Sequence, residues 1–161
     1  MDKYTLPLSL NIAKPDDAAL LYSWFSSLKD IRDWGGPHMD YPLPLDNFIS
    51  LVKFSELNSF KLVDDEQKML AFGQFYPRLG RTHFGRIAVS PKHRQQGLGR
   101  ELMTRLIEQA STFKNTNGYS LFVMDDNHGA KQLYVSLGFV TAGYPDPLGE
   151  NWDSCEYMIR D

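Results

Sequence analysis

Residues 93–103 read HRQQGLGRELM. Basic and amide side chains precede two glycines, Gly97 and Gly99, and an amphipathic run follows. Glycine at the mouth of a helix gives up backbone entropy, so its presence there asks for a reason. The first turn of a helix carries unpaired N–H groups and a partial positive charge. Without Cβ atoms in the way, a phosphate or pyrophosphate can reach those groups. Lys92, Arg94 and Arg100 would add full positive charges. The same two glycines also suit close helix–strand packing, and the sequence leaves both uses open. Two other phosphate loops do not fit. A Walker loop needs G-x-x-x-x-G-K-[ST], and a Rossmann loop needs a third glycine where Leu102 stands.

Working outward, Leu98, Leu102 and Leu106 recur every four residues, with Met103, Ile107 and Ala110 beside them. This single apolar stripe predicts a helix over 97–113. Upstream, THFGRIAVS (82–90) predicts a strand stopped by Pro91. SFKLVDD (59–65) and KMLAFGQFYP (68–77) predict two strands joined by the polar turn Asp64 to Gln67. Downstream, GYSLFVMDD (118–126) predicts a strand and HGAKQLYVSLG (128–138) a short helix. FVTAGYP (139–145) and DSCEYMIR (153–160) predict two closing strands. Near the start, LSLNI (8–12) reads as a short strand, and KPDDAALLYSWFSSL (14–28) as a helix opened by Pro15 to Asp17. RDWGGPHMDYPLPL (32–45) is turn-rich and leads into a helix near Leu45 to Phe54. The pattern is an α/β or α+β sheet with helices packed on it, expected as one domain over 1–161.

The 161 residues are 42% hydrophobic and 23% charged, as in an ordinary soluble domain with a real core. The net charge of −3 argues against general nucleic-acid affinity. Charge is uneven, however: from Arg78 to Arg100 there are six Lys or Arg and no Asp or Glu. A basic stretch in an otherwise acidic chain suggests an anionic ligand held at one place, although a solvated basic face reads the same way. No run of about 18 apolar residues is present, so no membrane span is expected. The single cysteine, Cys155, excludes an internal disulfide and suits a reducing compartment. With no leader-like opening segment, a cytoplasmic protein is expected. His38, His83, His93 and His128 show no metal-ligand spacing with Cys155 or the carboxylates, so no metal is expected.

Arg94-Gln95-Gln96-Gly97-Leu98-Gly99 resembles the Q/R-x-x-G-x-G/A motif of the GCN5-related N-acetyltransferases, the GNAT family, which bind acetyl-CoA. IAVSPKHR (87–94) resembles that family's strand-and-loop lead-in. About 30 residues after the motif, NHGAKQLYVSLGF is similar to the family's N-x-x-A-x-x-L-Y-x-x-x-G-F signature, matched by Asn127, Ala130, Leu133, Tyr134, Gly138 and Phe139. The specific resemblance covers residues 86–139. Gln95 departs from it, since many members carry Gly there.

The resemblance implies a mixed, mostly antiparallel sheet of about six to seven strands flanked by about four helices. It implies an acetyl-CoA-dependent N-acetyltransferase that moves an acetyl group to a primary amine by direct transfer. The strand from Arg86 through Ile87, Ala88 and Val89 would pair its backbone with the pantetheine arm of the cofactor as an added pseudo-strand. Arg94, Gln95, Gln96, Gly97, Leu98, Gly99 and Arg100 would surround the pyrophosphate. Asn127, with Ala130, would meet the cofactor arm; an Asn here also suits a helix cap. Tyr134 would be the acid that protonates the departing thiolate, or else a buried aromatic with a structural hydroxyl.

The base is less defined. A free alkyl amine has a pKa of about 10, so a base or a water chain must take its proton. Some family members place a carboxylate eleven residues ahead of the motif's first residue; here His83 stands there. A histidine suits the task chemically, and an exposed strand-start histidine fits the same position. Asp125 and Asp126 are further candidates, because Phe122 stands where a later-strand glutamate would serve.

On the acceptor side, Asp30 to Asp46 holds four aspartates against one arginine, with Trp34 and Tyr41 among them. An acidic, aromatic wall would suit a cationic amine, and turn-forming aspartates on a solvated loop read the same. Tyr144 and Trp152 would form another wall. A homodimer is expected from family habit. A non-catalytic acyl-CoA sensor of the same fold, and a protein whose glycines serve packing alone, are the rival readings.

Overall fold

The computed structural model describes residues 7–113, 117–149, 152 and 154–161. Glu150, Asn151 and Asp153, which belong to the expected second acceptor wall and last strand, lie outside the described residues.

Seven strands form one sheet in the order β1-β2-β3-β4-β5-β7-β6. They are β1 (Ser9–Ile12), β2 (Asn58–Val63), β3 (Met69–Arg78), β4 (Arg81–Val89), β5 (Tyr119–Met124), β6 (Val140–Ala142) and β7 (Cys155–Arg160). All neighbours run antiparallel except β4 and β5, which are parallel. Tight turns set the hairpin registers. Between β2 and β3, Asp64 Oδ1 accepts from the N–H groups of Glu66 and Lys68, both at 2.9 Å. Between β3 and β4, Leu79 (φ +48°) and Gly80 (φ +79°) form a two-residue turn with both φ values positive, the geometry that matches strand twist.

Among the described residues, five α-helices cover the two faces: α1 (Ala18–Tyr22), α2 (Leu28–Gly35), α3 (Leu45–Val52), α4 (Leu98–Ala110) and α5 (His128–Ser136). The expected stripe on α4 is buried: Leu98, Leu102, Met103, Leu106 and Ala110 pack with Phe75, Phe84 and Leu121. On the other face, α1 to α3 bury Leu21, Ile31, Trp34 and Phe48 against Phe72. Each such side chain contributes about 1.5–3 kcal/mol of apolar burial, so two separate cores clamp the sheet.

The N-terminal helices depart from the expectation. The helix read over 14–28 stops after Tyr22, because Trp24 and Phe25 are both buried. A turn lets these consecutive residues reach the core together, whereas a helix would point them about 100° apart. A second helix, α2, lies partly within the stretch read as turns. Ser27 caps it by accepting from Asp30 N–H (3.1 Å), and Gly36 (φ +105°) ends it. The expected helix near Leu45–Phe54 is present as α3, ending at Val52.

Candidate active site

Two features of β4 shape the site. The first is a bulge: Phe72 pairs with Ala88 and Gln74 with Gly85, so Arg86 and Ile87 together oppose Gly73. Arg86 takes φ +54° to do so. A Cβ on Gly73 would lie 2.7 Å from Leu106 Cδ1 and 2.8 Å from Ile87 Cδ1, so any side chain opposite the bulge must push those two ends aside. Arg86 is also fastened through its side chain: Nη1 donates to the Val52 carbonyl (2.9 Å) and to Gln74 Oε1 (3.2 Å). Its carbonyl accepts from Trp34 Nε1–H (2.8 Å). The second feature is divergence. β4 pairs with β5 at Thr82–Tyr119, His83–Ser120 and Phe84–Leu121, and the ladder ends there. Beyond Phe84 the strands part, and β4 runs on through Ile87, Ala88 and Val89 to the glycine loop.

That loop turns through two left-handed residues, Gln95 (φ +61°) and Gly97 (φ +82°). Gly97 is the N-cap of α4 and its carbonyl accepts the first intrahelical bond, from Glu101 N–H (3.1 Å). The N–H groups of Leu98, Gly99 and Arg100 therefore have no partner inside the helix. The two uses of glycine divide between the pair. Gly97 is needed for its backbone conformation, and Gly99 for packing, since a Cβ there would lie 3.2 Å from Leu133 Cδ2. Lys92 and Arg94 are exposed at the rim and meet no carboxylate among the described residues. Gln96 lies partly buried between them and Gly97. The Arg100 guanidinium hydrogen-bonds Ser136 Oγ on α5 instead of standing free.

Asn127 caps α5, its Oδ1 accepting from Ala130 N–H (3.3 Å). Its amide nitrogen remains available, so the capping role and a ligand role are compatible. Tyr134, one turn further, is 6% exposed and edge-on to Phe139. Burial pushes its phenol up to about 12, so it is neutral at any physiological pH. Among the described residues its hydroxyl has no hydrogen-bond partner.

His83 is not an exposed strand-start residue. It is 2% exposed, with Nδ1 2.8 Å from Ser120 Oγ and its ring beside Tyr76 and Phe122. Burial, reinforced by the charge of Arg78, pulls its pKa down to about 3. It is therefore held neutral. Asp125 and Asp126 are exposed past the end of β5, and Asp126 is bound to Lys29 (2.9 Å).

The aspartates of the acidic segment are largely engaged with their own neighbours, while His38, Asp40 and Leu43 line a surface cavity with α3. Asp30 accepts from Ser26 N–H and Oγ–H, Asp33 pairs with Lys29 (2.8 Å) and Asp40 with Arg32 (3.7 Å). Asp46 sits in the first turn of α3, and Trp34 and Tyr41 pack in the α1–α3 core. The expected second wall, Tyr144 and Trp152, joins an aromatic cluster with Phe122 and Tyr157, two residues the sequence reading did not place there. Phe122 lies 5.3 Å from Tyr144, 5.0 Å from Trp152 and 5.4 Å from Tyr157, ring to ring. Arg78 lies over Phe122 (5.1 Å) and beside Tyr144 (5.6 Å). The alternation Ser120, Phe122, Met124 along β5 was the available signal that Phe122 faces the same side as Ser120 and His83. Cys155 lies on this side too, and burial, with the charges of Asp125 and Asp33, raises its thiol pKa.

The arrangement fits acetyl-CoA on this chain's own geometry: an open strand edge, a loop needing glycine, unpaired helix N–H groups and a basic rim whose Arg94 charge acts on the Asp30 carboxylate. Among the described residues, no helix is long and apolar enough to cross a membrane, and no group of three His, Cys, Asp or Glu is placed to hold a metal.

Comparison with known proteins agrees. A spermidine N-acetyltransferase of Vibrio cholerae, solved with CoA and spermine, superposes with a TM-score of 0.74 at 18% identity, covering 94% of each chain. The ribosomal-protein-S18-alanine N-acetyltransferase of Escherichia coli superposes at 0.64 with 24% identity, covering 95% of this chain and 90% of that one. A UPF0039 protein of Schizosaccharomyces pombe is 32% identical over 73 residues, 45% of this chain and 47% of that protein. The match thus spans about half the length of that relative. The family model described as Acetyltransferase (GNAT) family matches residues 21–139. With that match lying over both signatures and over the parting strands, this chain belongs to the GNAT acetyltransferase family.

Proposed function

We propose that this protein is an acetyl-CoA-dependent N-acetyltransferase acting on a primary amine of a small molecule or peptide, in the cytoplasm. The observation that carries the reading is the parting of β4 from β5 at Phe84, on a strand that leads straight into the glycine-capped start of α4. Ile87, Ala88 and Val89 would offer backbone groups to the pantetheine arm. Gln95, Gln96, Gly97, Leu98 and Gly99 would offer N–H groups to the pyrophosphate, with Arg94 supplying charge. Arg100 would join them only by leaving Ser136. Asn127 and Ala130 would line the cofactor arm from α5. Acetyl-CoA, when bound, would supply the acetyl group: its C–S bond breaks as the amide C–N bond forms, and the CoA thiol leaves.

Tyr134 serves as proton donor at the sulfur. A thiol pKa is about 8.5, well below that of this phenol. A full transfer is uphill from the ground state, so Tyr134 acts by a hydrogen bond that strengthens as negative charge develops on sulfur. His83 serves as the nearby neutral nitrogen that can accept a hydrogen bond from the acceptor amine. Its low pKa means that the proton leaves through solvent unless the bound acceptor changes the local charge.

That low pKa also favours a second reading, an acyl-CoA sensor without turnover. One experiment separates the two: calorimetry with acetyl-CoA, then free-thiol detection with an amine panel. Binding with thiol release supports the enzyme, binding without release supports the sensor, and no binding removes both.

A further inference from the structure

We propose that Arg78 is a specificity residue that reads a carboxylate on the acceptor, so that the amine acylated belongs to an apolar amino acid and not to a polyamine. The inference rests on the acyltransferase reading above.

The basis is an arginine that meets no counter-charge among the described residues and sits in an aromatic cluster. Arg32, Arg81 and Arg105 each meet a carboxylate, Asp40, Asp161 and Glu101. Arg86, on the same face of the sheet as Arg78, has its donors taken by Val52 and Gln74. Arg78 meets no carboxylate among the described residues. Its Nε donates to Tyr144 Oη (2.9 Å) and its plane rests on Phe122 and Tyr144. The rings and the phenols of Tyr144 and Tyr76 fix the guanidinium, and two phenols cannot use all five of its N–H donors. A guanidinium held flat in this way matches a carboxylate in a forked geometry.

The surroundings favour this choice over the opposite one. A polyamine carries several positive charges and needs carboxylates. Asp33 and Asp40 are already paired to Lys29 and Arg32, which leaves Asp125, past the end of β5, as the carboxylate near Cys155 without an ion pair among the described residues. Phe122, Tyr144, Trp152 and Tyr157 instead offer an apolar bed for a side chain. The position relative to the chemistry is also apt. Arg78 is near enough to His83 for its charge to bear on that imidazole, and a carboxylate on Arg78 would offset this effect as the acceptor arrives.

The test is release of free thiol from acetyl-CoA with the twenty L-amino acids, their α-amides and spermidine, using the full chain. At least one apolar amino acid is expected to exceed its own amide by at least about tenfold in kcat/KM, the worth of one charged hydrogen-bonded pair. R78Q should collapse that acid-to-amide ratio towards one through KM, and R78K should restore part of it. The acetyl-CoA dissociation constant should not move in either variant. A residue that merely braced the loop would weaken acid and amide alike and leave the ratio intact. Preference for amides or spermidine, a ratio unmoved in R78Q, or bound acetyl-CoA with no amino acid acylated would each overturn the proposal while sparing the acyltransferase reading in the first two cases. Failure of the parent protein to bind acetyl-CoA would remove both. Should R78Q not fold, the acid-to-amide ratio of the parent protein decides alone.

Discussion

Tyr134 carries its hydroxyl in an apolar setting with no partner of its own. Deleting that oxygen therefore leaves no orphaned group behind. Y134F should keep the fold and the acetyl-CoA affinity, and lower kcat by about 10²-fold, the low end of general-acid effects. Single-turnover thiol release compared with calorimetry checks this, and an unchanged kcat would take Tyr134 out of the mechanism. Gly97 is the opposite case, where a side chain is the problem. At φ +82° a β-branched residue is strained by about 1–2 kcal/mol, and its Cβ intrudes on the N–H cluster. G97V is expected to weaken acetyl-CoA binding at least about tenfold, measured by titration. G129A, where an added Cβ meets nothing within 4 Å, should change neither stability nor affinity much. The motif spacing made Gly97 and Gly99 legible from sequence as a pair. It could not separate them, because one obeys a torsion of its own backbone and the other a neighbour, Leu133, in a distant element.

At the scale of elements, β4 sets the positions. Gly73 sits opposite its bulge, under the ends of Leu106 and Ile87. G73A should destabilise the fold by about 1–3 kcal/mol through overpacking, read as a lower urea midpoint with the slope unchanged. His83, on the same strand, links burial to pH. Its folded pKa of about 3 lies below the ordinary histidine value of about 6.5. The unfolded chain then binds the extra proton between those values, so stability is full above about pH 6.5 and falls as the solution is acidified towards pH 3. Between pH 6 and pH 4 the loss should reach about 2 kcal/mol, seen in urea titrations, and H83N should flatten the slope. An equal slope in H83N would assign the loss to other groups.

Strands and the long helix α4 were legible because their periods are strong and their stops, Pro91 and the glycine loop, are local. The region from Ala18 to Gly35 was not. Trp24 and Phe25 are adjacent yet both buried, and Gly35–Gly36 ends a helix instead of marking a loop. Both outcomes depend on the sheet beneath, to which Trp34 ties itself at the Arg86 carbonyl. Tyr144 and Trp152 were read as a pair from one loop, but their meeting with Arg78 and Phe122 was hidden for the same kind of reason: it depends on strand register and loop closure between distant parts of the chain.

For the molecule as a whole, two cores hold the sheet from opposite faces, and both run up to the parted strands, where Ile87 and Val89 pack on one and Ala88 on the other. Saturating acetyl-CoA at about 100 times its dissociation constant should add about 2.7 kcal/mol to folding stability by mass action. A rise in melting temperature that tracks ligand concentration checks it, and G97V at the same concentration should show a clearly smaller rise. The seam itself has a further consequence. Four strands on one side and three on the other are fastened laterally by three rungs, Thr82–Tyr119 to Phe84–Leu121. The molecule is thus two plates on a short hasp, and whatever lies in the gap acts as their second fastening. Amide protons from Gly85 to Val89 should trade with deuterium fastest when the gap is vacant, so the timing of that exchange would report, strand by strand, when the donor arrives and leaves.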